Sequence, residues 1–429
     1  MIYNFISFAG IFILIGIAWV FSTNRKRMNW SAIFWGVLMQ LLFAFFVFRV
    51  PAGTRLFLFL NDVVVKILDA SMAGSRFVFG PLAEGPGAPG SLGFILAFQG
   101  LPTIIFFSAL ISVLYYLNIM PAIIRLFATV FTKLMKISGA ESLCAASNIF
   151  VGVEAAFTIR PYLADMTRSE LCTVLTAGMA TVASNVLALY VFTLKGQFPS
   201  IAGHLISASI LSAPAAIVMS KVLLPEDETP KTLGLNVKPH YEREGNLFEA
   251  IINGANSGLR VIAGIVALLL AVLGLVALFD MGLSAVGNQL NVLADLNVDW
   301  SLKGLLGYLF YPFSLIMGVP LENASIVAKI VGERIVLTEV TAYIDLAKAA
   351  GQGLVGPRAA VITTYALCGF THLASMAIFV GGISALAPTK TTILTKIAVR
   401  ALVAATFACM LTGCMAGIFY TDSSILFGG

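Results

Sequence analysis

Long uncharged apolar stretches are the feature of this sequence that most limits its fold. Several windows run about 18 to 20 residues with few or no charges, long enough for a helix to cross a hydrocarbon core of roughly 30 Å. Hydrophobic residues make up 59% of the 429 residues and charged residues 11%, with a mean hydropathy of +0.96. The sequence therefore predicts a polytopic membrane protein rather than a soluble domain.

An all-α fold is predicted because lipid offers the backbone no hydrogen-bond partner, and because the alternating strands of a β-barrel are absent from the sequence. We predict eight membrane-spanning helices. Their expected bounds are 3–21, 31–49, 92–117, 171–194, 201–223, 255–280, 360–386 and 394–420. The first lacks the basic leading segment and the cleavage site of a secretory signal, so we expect it to be retained.

The basic residues are spread over short connectors, so the net charge of +5 does not indicate nucleic-acid binding. The basic side chains of three connectors are Arg25, Lys26 and Arg27; Lys231, Lys238 and Arg243; and Lys390, Lys396 and Arg400. By the positive-inside rule these connectors are cytoplasmic, which places both termini on the outer side of an inner membrane. The segment MPAIIRLFATVFTKLMKISG is predicted to lie on the membrane surface as an amphipathic helix.

Two regions are apolar but broken or too charged to face lipid, namely residues 139–168 and 319–349. Each is predicted to be a re-entrant helical hairpin whose tip lies at membrane depth inside the protein. Each is followed by a helix with polar residues at its middle. Two opposed hairpins, each with a broken helix behind it, are typical of the inverted repeats of secondary transporters, whose site lies at the midplane.

Two glutamates, Glu154 and Glu339, fall within the hairpins, where an ionisable group is expensive and usually has a partner or a function. One interpretation is structural, with Glu154 paired to Arg160 and Glu339 paired to Arg334. The other is that both carboxylates belong to one shared ligand site. Equivalent positions in a repeat favour the shared site.

Neutral oxygen atoms near the first hairpin could hold a small cation, because broken helices leave carbonyl groups without partners. The candidate ligands are the side chains of Asn148, Thr181 and Ser184 and the carbonyl of Val151. The alternative for the three side chains is ordinary hydrogen bonding between helices.

His372 lies within the predicted span 360–386, and it is a candidate ligand or pH sensor because imidazole titrates near neutral pH. Four polar residues of the second hairpin are expected to pair with one another rather than bind a ligand. They are Glu322, Asn323, Lys329 and Glu333.

The sequence resembles the concentrative nucleoside transporter family over nearly its whole length. The segments that carry the resemblance include AWVFSTNRKRMNWSAIFWGVLMQ, NIFVG, MTRSEL, NLFEAIINGANSGL, MGVPLENA, TEVTAY, ALCGF and GGISALAP. The resemblance implies a homotrimer in which each protomer has eight spans, two opposed re-entrant hairpins and interfacial helices. It also implies that a mobile transport domain moves against a trimeric scaffold.

The resemblance also implies roles for individual residues. Glu339 would bind ribose hydroxyls, with His372 at the place of a ribose-binding asparagine and Ser375 at the place of a serine. Asn148 matches a sodium-binding asparagine, and Thr181 stands near a sodium-ligating serine.

The tip of the first hairpin departs from the family pattern. Gly152, Val153 and Glu154 stand where the family has glycine, glutamine, threonine and glutamate, so the carboxylate is kept but the polar base-binding pair is lost. The resemblance therefore implies an altered recognition of the base and relaxed base selectivity.

The organisation expected from these features has four segments. Residues 1–138 and 224–318 are assigned to the scaffold, and residues 139–223 and 319–429, each with a hairpin and two following spans, to the transport part. The predicted function is import of nucleosides with sodium as the coupling ion and no covalent cofactor.

Three alternatives remain open from sequence alone. The first is coupling to protons, carried by Glu154, Glu339 or His372. The second is a non-transporting nucleoside sensor. The third is a membrane-embedded enzyme, which is disfavoured because no HExxH, GxSxG or Cys/His cluster is present.

Overall fold

The structure is a computed structural model that describes residues 2–85, 89–196, 198–240, 244–295 and 297–421. Arg243, one of the connector residues considered above, lies outside the described residues. The described residues form α-helices and three 3-10 segments joined by loops, the longest of them between residues 223 and 247, and they contain no β-strand. The prediction of an all-α fold is therefore confirmed.

The helices, in chain order, are α1 Ile2–Val20, α2 Trp30–Arg49, α3 Pro51–Phe79, α4 Leu96–Gln99, α5 Pro102–Tyr116, α6 Ile119–Met135, α7 Gly139–Asn148, α8 Arg168–Ala180, α9 Ser184–Leu194, α10 Ile201–Leu223, α11 Leu247–Ala294, α12 Leu302–Ile316, α13 Leu321–Glu333, α14 Glu339–Gly351, α15 Pro357–Leu367, α16 Leu373–Leu386 and α17 Thr391–Phe419. The 3-10 segments are Gly80–Ala83, Val153–Asp165 and Pro388–Lys390.

Seven helical stretches among the described residues are long and apolar enough to cross a membrane. They coincide with seven of the eight predicted spans. The remaining predicted span, 360–386, consists of two shorter helices, α15 and α16, separated by a break at residues 368–372. The amphipathic helix is present as α6, whose apolar side is buried.

Helix α3 was not predicted, although it is 29 residues long. It carries charged side chains along its length, including Arg55, Asp62 and Lys66, so it gives no uninterrupted apolar window. The helix begins at Pro51. Proline is favoured at the first helical position because the N–H that it lacks would have no acceptor within the helix.

The two hairpin regions each fold into two arms joined by a short tip. In the first, α7 begins at a capping box of Ser138 and Glu141, ends at Asn148, and is followed beyond residues 149–152 by the 3-10 segment Val153–Asp165. In the second, α13 and α14 are joined by residues 334–338. The helices that follow, α8 with α9 and α15 with α16, are broken at residues 181–183 and 368–372.

Helix α17 contacts α1, α8, α10 and α15, and α2 packs against α10. The stretches that contain α8, α10 and α17 are the most buried of the membrane-length ones, and α1 and α2 are much less buried. Helix α11 packs mainly against α5, and only 6% of its most apolar window is buried. A long apolar helix this exposed is suited to contact with lipid or with another protein chain.

The polar residues of the second hairpin pair outside the hairpin, which corrects the expectation of pairs within it. Lys329 Nζ lies 2.6 Å from Asp299 Oδ2, and Glu333 Oε2 lies 2.5 Å from Lys303 Nζ. Lys303 also contacts Asp345 of α14. The sequence could not show this because Asp299 and Lys303 precede the hairpin and are brought to it by the packing of α12 on α13.

Candidate substrate and cation site

A cavity of about 710 Å³ lies where the tip of the first hairpin meets α9, α11, α14 and α16. All six residues predicted to bind substrate line it, namely Gly152, Val153, Glu154, Glu339, His372 and Ser375. The volume falls within the range that small-molecule sites usually have. Its remaining wall is mostly apolar and includes Phe370 and Phe379.

Glu339 is the central polar residue of this cavity. It is the first residue of α14, and it is only 4% exposed. The Tyr190 hydroxyl donates a hydrogen bond of 2.6 Å to Oε1, and His372 Nε2 lies 3.0 Å from Oε2. The hydroxyl donor, the imidazole beside Oε2 and the N-terminus of α14 together compensate the charge of this buried carboxylate. The suggested pair with Arg334 is wrong, because His372 takes that place.

His372 caps the N-terminus of α16 and also contacts the carboxylate of Glu339. Its Nδ1 accepts a hydrogen bond of 3.2 Å from the backbone N–H of Ser375. In turn, the Ser375 hydroxyl oxygen accepts a hydrogen bond of 3.3 Å from the backbone N–H of His372. Because Nδ1 accepts, the neutral ring carries its proton on Nε2, the nitrogen that faces Glu339. The cap therefore sets the orientation of the ring and the atom that faces the carboxylate.

Glu154 differs from the expectation of a buried carboxylate, because its side chain is exposed. The chain turns at Gly152 and starts the 3-10 segment at Val153, which directs Glu154 into the cavity. It also lines a second cavity of about 210 Å³ with Ser108, Asn185 and His240. Within the described residues its carboxylate makes no hydrogen bond or ion pair, so it is open to a ligand.

The two hairpin tips bind the following helix breaks in the same way. The backbone N–H of Ser184, the first residue of α9, donates to the Phe150 carbonyl at 2.9 Å. The backbone N–H of Leu373, the first residue of α16, donates to the Ile335 carbonyl at 3.0 Å. Each glutamate, Glu154 and Glu339, lies four residues after its tip carbonyl. The two carboxylates therefore occupy equivalent positions in the two halves.

The predicted cation ligands gather at the ends of two helices. Asn148 is the last residue of α7 and Thr181 the residue after α8, and both are 1% exposed. Asn148 Oδ1 is buried without a hydrogen-bond partner, while its Nδ2 donates to the Cys144 carbonyl at 3.0 Å. An unpartnered oxygen between two helix C-termini, where the macrodipoles are negative, fits a small cation. Ser184 donates the tip hydrogen bond to the Phe150 carbonyl, and Val151 is the next residue of the tip.

The two helix breaks touch each other at Gly369. A Cβ atom at this position would lie 2.7 Å from the Ala180 carbonyl oxygen and 2.7 Å from Cys409 Sγ. Ala180 is the last residue of α8, and Gly369 lies in the break between α15 and α16. The absence of a side chain allows the two halves to approach at their breaks.

Three residues of the site region were missed or misassigned from sequence. Tyr190 lies in an apolar helix, and the signal that could have found it is that a buried tyrosine hydroxyl needs a partner. Arg260 lines the larger cavity, and a single arginine inside a predicted span is by default a functional candidate. Arg334 was considered only as a partner of Glu339.

Paired hairpins, broken helices and a mostly apolar cavity with a few polar side chains are the arrangement typical of secondary transporters. Three family profiles match the chain: Na+ dependent nucleoside transporter N-terminus over 9–82, Nucleoside recognition over 97–197, and Na+ dependent nucleoside transporter C-terminus over 204–417. Solute carrier family 28 member 3 of Mus musculus is 36% identical over 430 residues, which are 97% of this chain and 59% of that protein. Sodium/nucleoside cotransporter 1 of Rattus norvegicus is 36% identical over 435 residues, 98% of this chain and 64% of that protein. The chain thus spans less than two thirds of these relatives.

Solved structures are similar over nearly their whole length. CNTnw in an inward-facing substrate-bound state has a TM-score of 0.87 and 31% identity, covering 97% of this chain and 98% of that chain. A CNTnw variant in an outward-facing state has a TM-score of 0.89 and 32% identity, covering 98% and 99%. The chain belongs to the sodium-dependent, or concentrative, nucleoside transporter family. Its relatives are transporters and not enzymes, so the membrane-embedded enzyme considered above is excluded.

Proposed function

We propose that the protein imports nucleosides across a membrane by alternating access, coupled to the entry of sodium. The observation that carries this proposal is the carboxylate of Glu339, held by Tyr190 and His372 at the wall of a cavity of about 710 Å³. The printed names of the relatives, sodium/nucleoside cotransporters among them, support the substrate class and the ion.

The ribose part of a nucleoside is proposed to bind at Glu339. A carboxylate offers about four lone-pair sites, of which the Tyr190 hydroxyl uses one and His372 lies beside another, so two remain for sugar hydroxyls. Ser375 lines the same wall. The exposed carboxylate of Glu154, at the equivalent position of the first half, would contact the ligand from the opposite hairpin.

The base is proposed to face an apolar wall. Val153 lines the cavity and packs against α16, since a Cβ on Gly382 would lie 2.8 Å from Val153 Cγ2. Phe370 and Phe379 continue this wall. Apolar surfaces reject isosteres poorly, so selectivity among nucleobases should be shallow.

Sodium is proposed to bind at Asn148, Thr181, Ser184 and the carbonyl of Val151. The ion would hold the tip of the first hairpin against the break between α8 and α9, next to the hydrogen bond from Ser184 to Phe150. Because Gly152, Val153 and Glu154 follow this tip directly, fixing the tip also fixes the part of the cavity that it lines. Sodium and nucleoside binding then favour each other reciprocally.

The membrane arrangement proposed for the chain has eight spans, two opposed re-entrant hairpins and both termini on the outer side of an inner membrane, in a homotrimer. Segments 139–223 and 319–429 form the transport part, and 1–138 and 224–318 supply the scaffold. The packing of α1 on α17 and of α2 on α10 favours a refinement, in which these two helices move with the transport part. Helices α5 and α11 then form the scaffold wall.

The proposal is tested by ligand-dependent thermal stability of the purified protein. Uridine, cytidine, adenosine and guanosine are each expected to raise the unfolding temperature in sodium, whereas ribose and free bases are not, because tight binding requires both parts of the ligand. Uptake into proteoliposomes under a sodium gradient is then measured with the same nucleosides. Stabilisation without any uptake would instead identify a nucleoside sensor, and no stabilisation by any nucleoside would contradict both.

Proton coupling is the second candidate, favoured by the contact between the imidazole of His372 and the buried carboxylate of Glu339. A proton could be held by this pair and released when the cavity opens to the other side. Uptake that proceeds without sodium and follows an imposed pH gradient would select this candidate. Uptake that requires sodium at every pH would reject it.

Replacement of Asn148 by alanine is expected to raise the sodium concentration for half-maximal uptake about tenfold, since removing a charge-assisted oxygen contact costs roughly 1.5 kcal/mol. Nucleoside affinity at saturating sodium should change much less. Sodium titration of uptake measures the effect, with Asn288→Ala on the exposed face of α11 as the control. An equal loss of nucleoside affinity at saturating sodium would contradict the assignment.

A further inference from the structure

Arg334 is a fully buried cation with no carboxylate partner among the described residues. Its side chain is 0% exposed, and one amino group, Nη1, donates to the Ala366 carbonyl. Nε and Nη2 have no hydrogen-bond partner. A buried guanidinium without an anion is strongly unfavourable, so its surroundings must compensate the charge by other means.

Helix C-termini supply that compensation. Arg334 directly follows α13, and Ala366 lies in the last turn of α15. The Tyr343 hydroxyl donates to the neighbouring Thr364 carbonyl at 2.9 Å, so a second donor caps the same end of α15. The residue at the C-terminal end of α13 therefore places its guanidinium on the negative C-terminal end of α15.

The first half of the chain has the same arrangement of helix ends but no cationic side chain. The acceptors of the two tip hydrogen bonds are the carbonyls of Phe150 and Ile335, so these two residues are equivalent. Arg334 therefore corresponds to Ile149, the residue directly after Asn148. Helices α7 and α8 end there as α13 and α15 end at Arg334. Neither stretch 139–153 nor stretch 169–194 contains a lysine or an arginine. At this place the first half instead has the unpartnered Asn148 Oδ1.

We propose that the guanidinium of Arg334 is a tethered counterpart of the coupling ion, occupying in the second half the place that sodium takes in the first. This inference rests on the sodium site proposed above. Two equivalent pairs of helix C-termini each need one positive charge, and the second pair receives it from the chain itself. The protein therefore couples each nucleoside to a single sodium ion.

The stoichiometry is tested with the unmodified protein in proteoliposomes. With the membrane potential clamped at zero, a tenfold sodium gradient should hold nucleoside at about tenfold accumulation for one ion, and about hundredfold for two, because the gradients balance at equilibrium. Tenfold accumulation supports the proposal. Hundredfold accumulation overturns it.

A second measurement tests Arg334 itself, and it requires nucleoside binding but not uptake. Arg334→Ala is expected to weaken nucleoside binding by at least tenfold, as judged by thermal shift at the same saturating sodium concentration as for the parent protein, since loss of a buried cation leaves two helix ends uncompensated. Added guanidinium ion should restore binding, because the cavity left by the side chain accepts it. Arg55→Ala, an exposed arginine of α3, is the control and should respond to neither change.

The outcomes separate this inference from the proposed function. Unchanged binding in Arg334→Ala, or a loss that guanidinium does not restore, contradicts the role of Arg334. If Arg334→Ala does not fold, Arg334→Lys replaces it and should retain binding because the charge is kept. Absence of any sodium-driven uptake in the parent protein contradicts the sodium coupling instead, and the guanidinium measurement then decides on Arg334 alone.

Discussion

Glu339→Gln is expected to abolish measurable nucleoside uptake while the protein remains folded. Glutamine keeps the shape of glutamate but offers one acceptor oxygen instead of two. The amide can still satisfy the unliganded site, since its oxygen accepts from His372 and its NH₂ group donates to the Tyr190 hydroxyl, which can rotate. One of the two lone pairs proposed for the sugar is then lost, and the one that remains belongs to a neutral oxygen.

The size of this effect follows from the kind of hydrogen bond removed. Hydrogen bonds to a charged group contribute about 1.5–3 kcal/mol each, so losing one weakens binding roughly tenfold to hundredfold. Binding is measured by thermal shift and uptake by accumulation of labelled nucleoside. Glu322→Gln is the matched control, because Glu322 is exposed on α13 of the same hairpin and does not line the cavity. Parental affinity in Glu339→Gln would exclude Glu339 as the sugar-binding group.

Gly369→Ala is expected to destabilise the fold and to eliminate uptake. The added methyl group would lie 2.7 Å from the Ala180 carbonyl oxygen, which is backbone at the end of α8 and cannot rotate away. The two helix breaks must then separate. Overpacking of this kind costs about 1–3 kcal/mol, and more where backbone must move.

The control for this substitution lies in the following helix. Gly381→Ala places a methyl group in α16 with no atom within 4 Å, so it should leave the unfolding temperature unchanged or raise it slightly. Thermal unfolding in detergent and uptake are compared for both variants. A Gly369→Ala protein with parental stability and uptake would show that the close approach of the breaks is not required.

Apolar patterning was sufficient to locate most of the helices. The predicted spans 201–223 and 31–49 differ from α10 and α2 by at most one residue at either end, because uninterrupted apolar runs between polar connectors leave little choice of boundary. Helix α3 was missed because charged residues interrupt its apolar runs. The length of α11 was also underestimated, since its polar ends do not look like membrane spans.

The sequence was sufficient to find those residues of the site whose type is unusual in an apolar segment. Carboxylates and a histidine in apolar segments stand out, so Glu154, Glu339 and His372 were found. Their partners could not be found in the same way. Tyr190 lies 149 positions from Glu339, and only the packing of α9 against α14 brings its hydroxyl to the carboxylate.

Pairing Glu339 with the nearest opposite charge in the sequence also gave the wrong partner. Arg334 is five positions away in the sequence, but it is directed at the end of α15, while His372 reaches the carboxylate from the start of α16. Proximity along the chain is a poor guide at a hairpin tip, because the tip turns successive side chains towards different helices.

The length of α11 has a consequence for the protein outside the bilayer. At 1.5 Å per residue its 48 residues extend about 72 Å. Even a tilt of about 40° leaves roughly 55 Å along the membrane normal, against roughly 30 Å of hydrocarbon. Hydrophobic mismatch of this size cannot be absorbed by tilting, so part of the helix lies beyond the lipid tails.

Large apolar side chains are exposed at both ends of α11. Phe248 near its start is 75% exposed, and Val292 and Leu293 near its end are 84% and 82% exposed. One bilayer cannot cover both ends, so at least one of them is suited to contact with a protein surface. The measured stability of the purified protein should then rise with protein concentration, as it does whenever association and folding are linked.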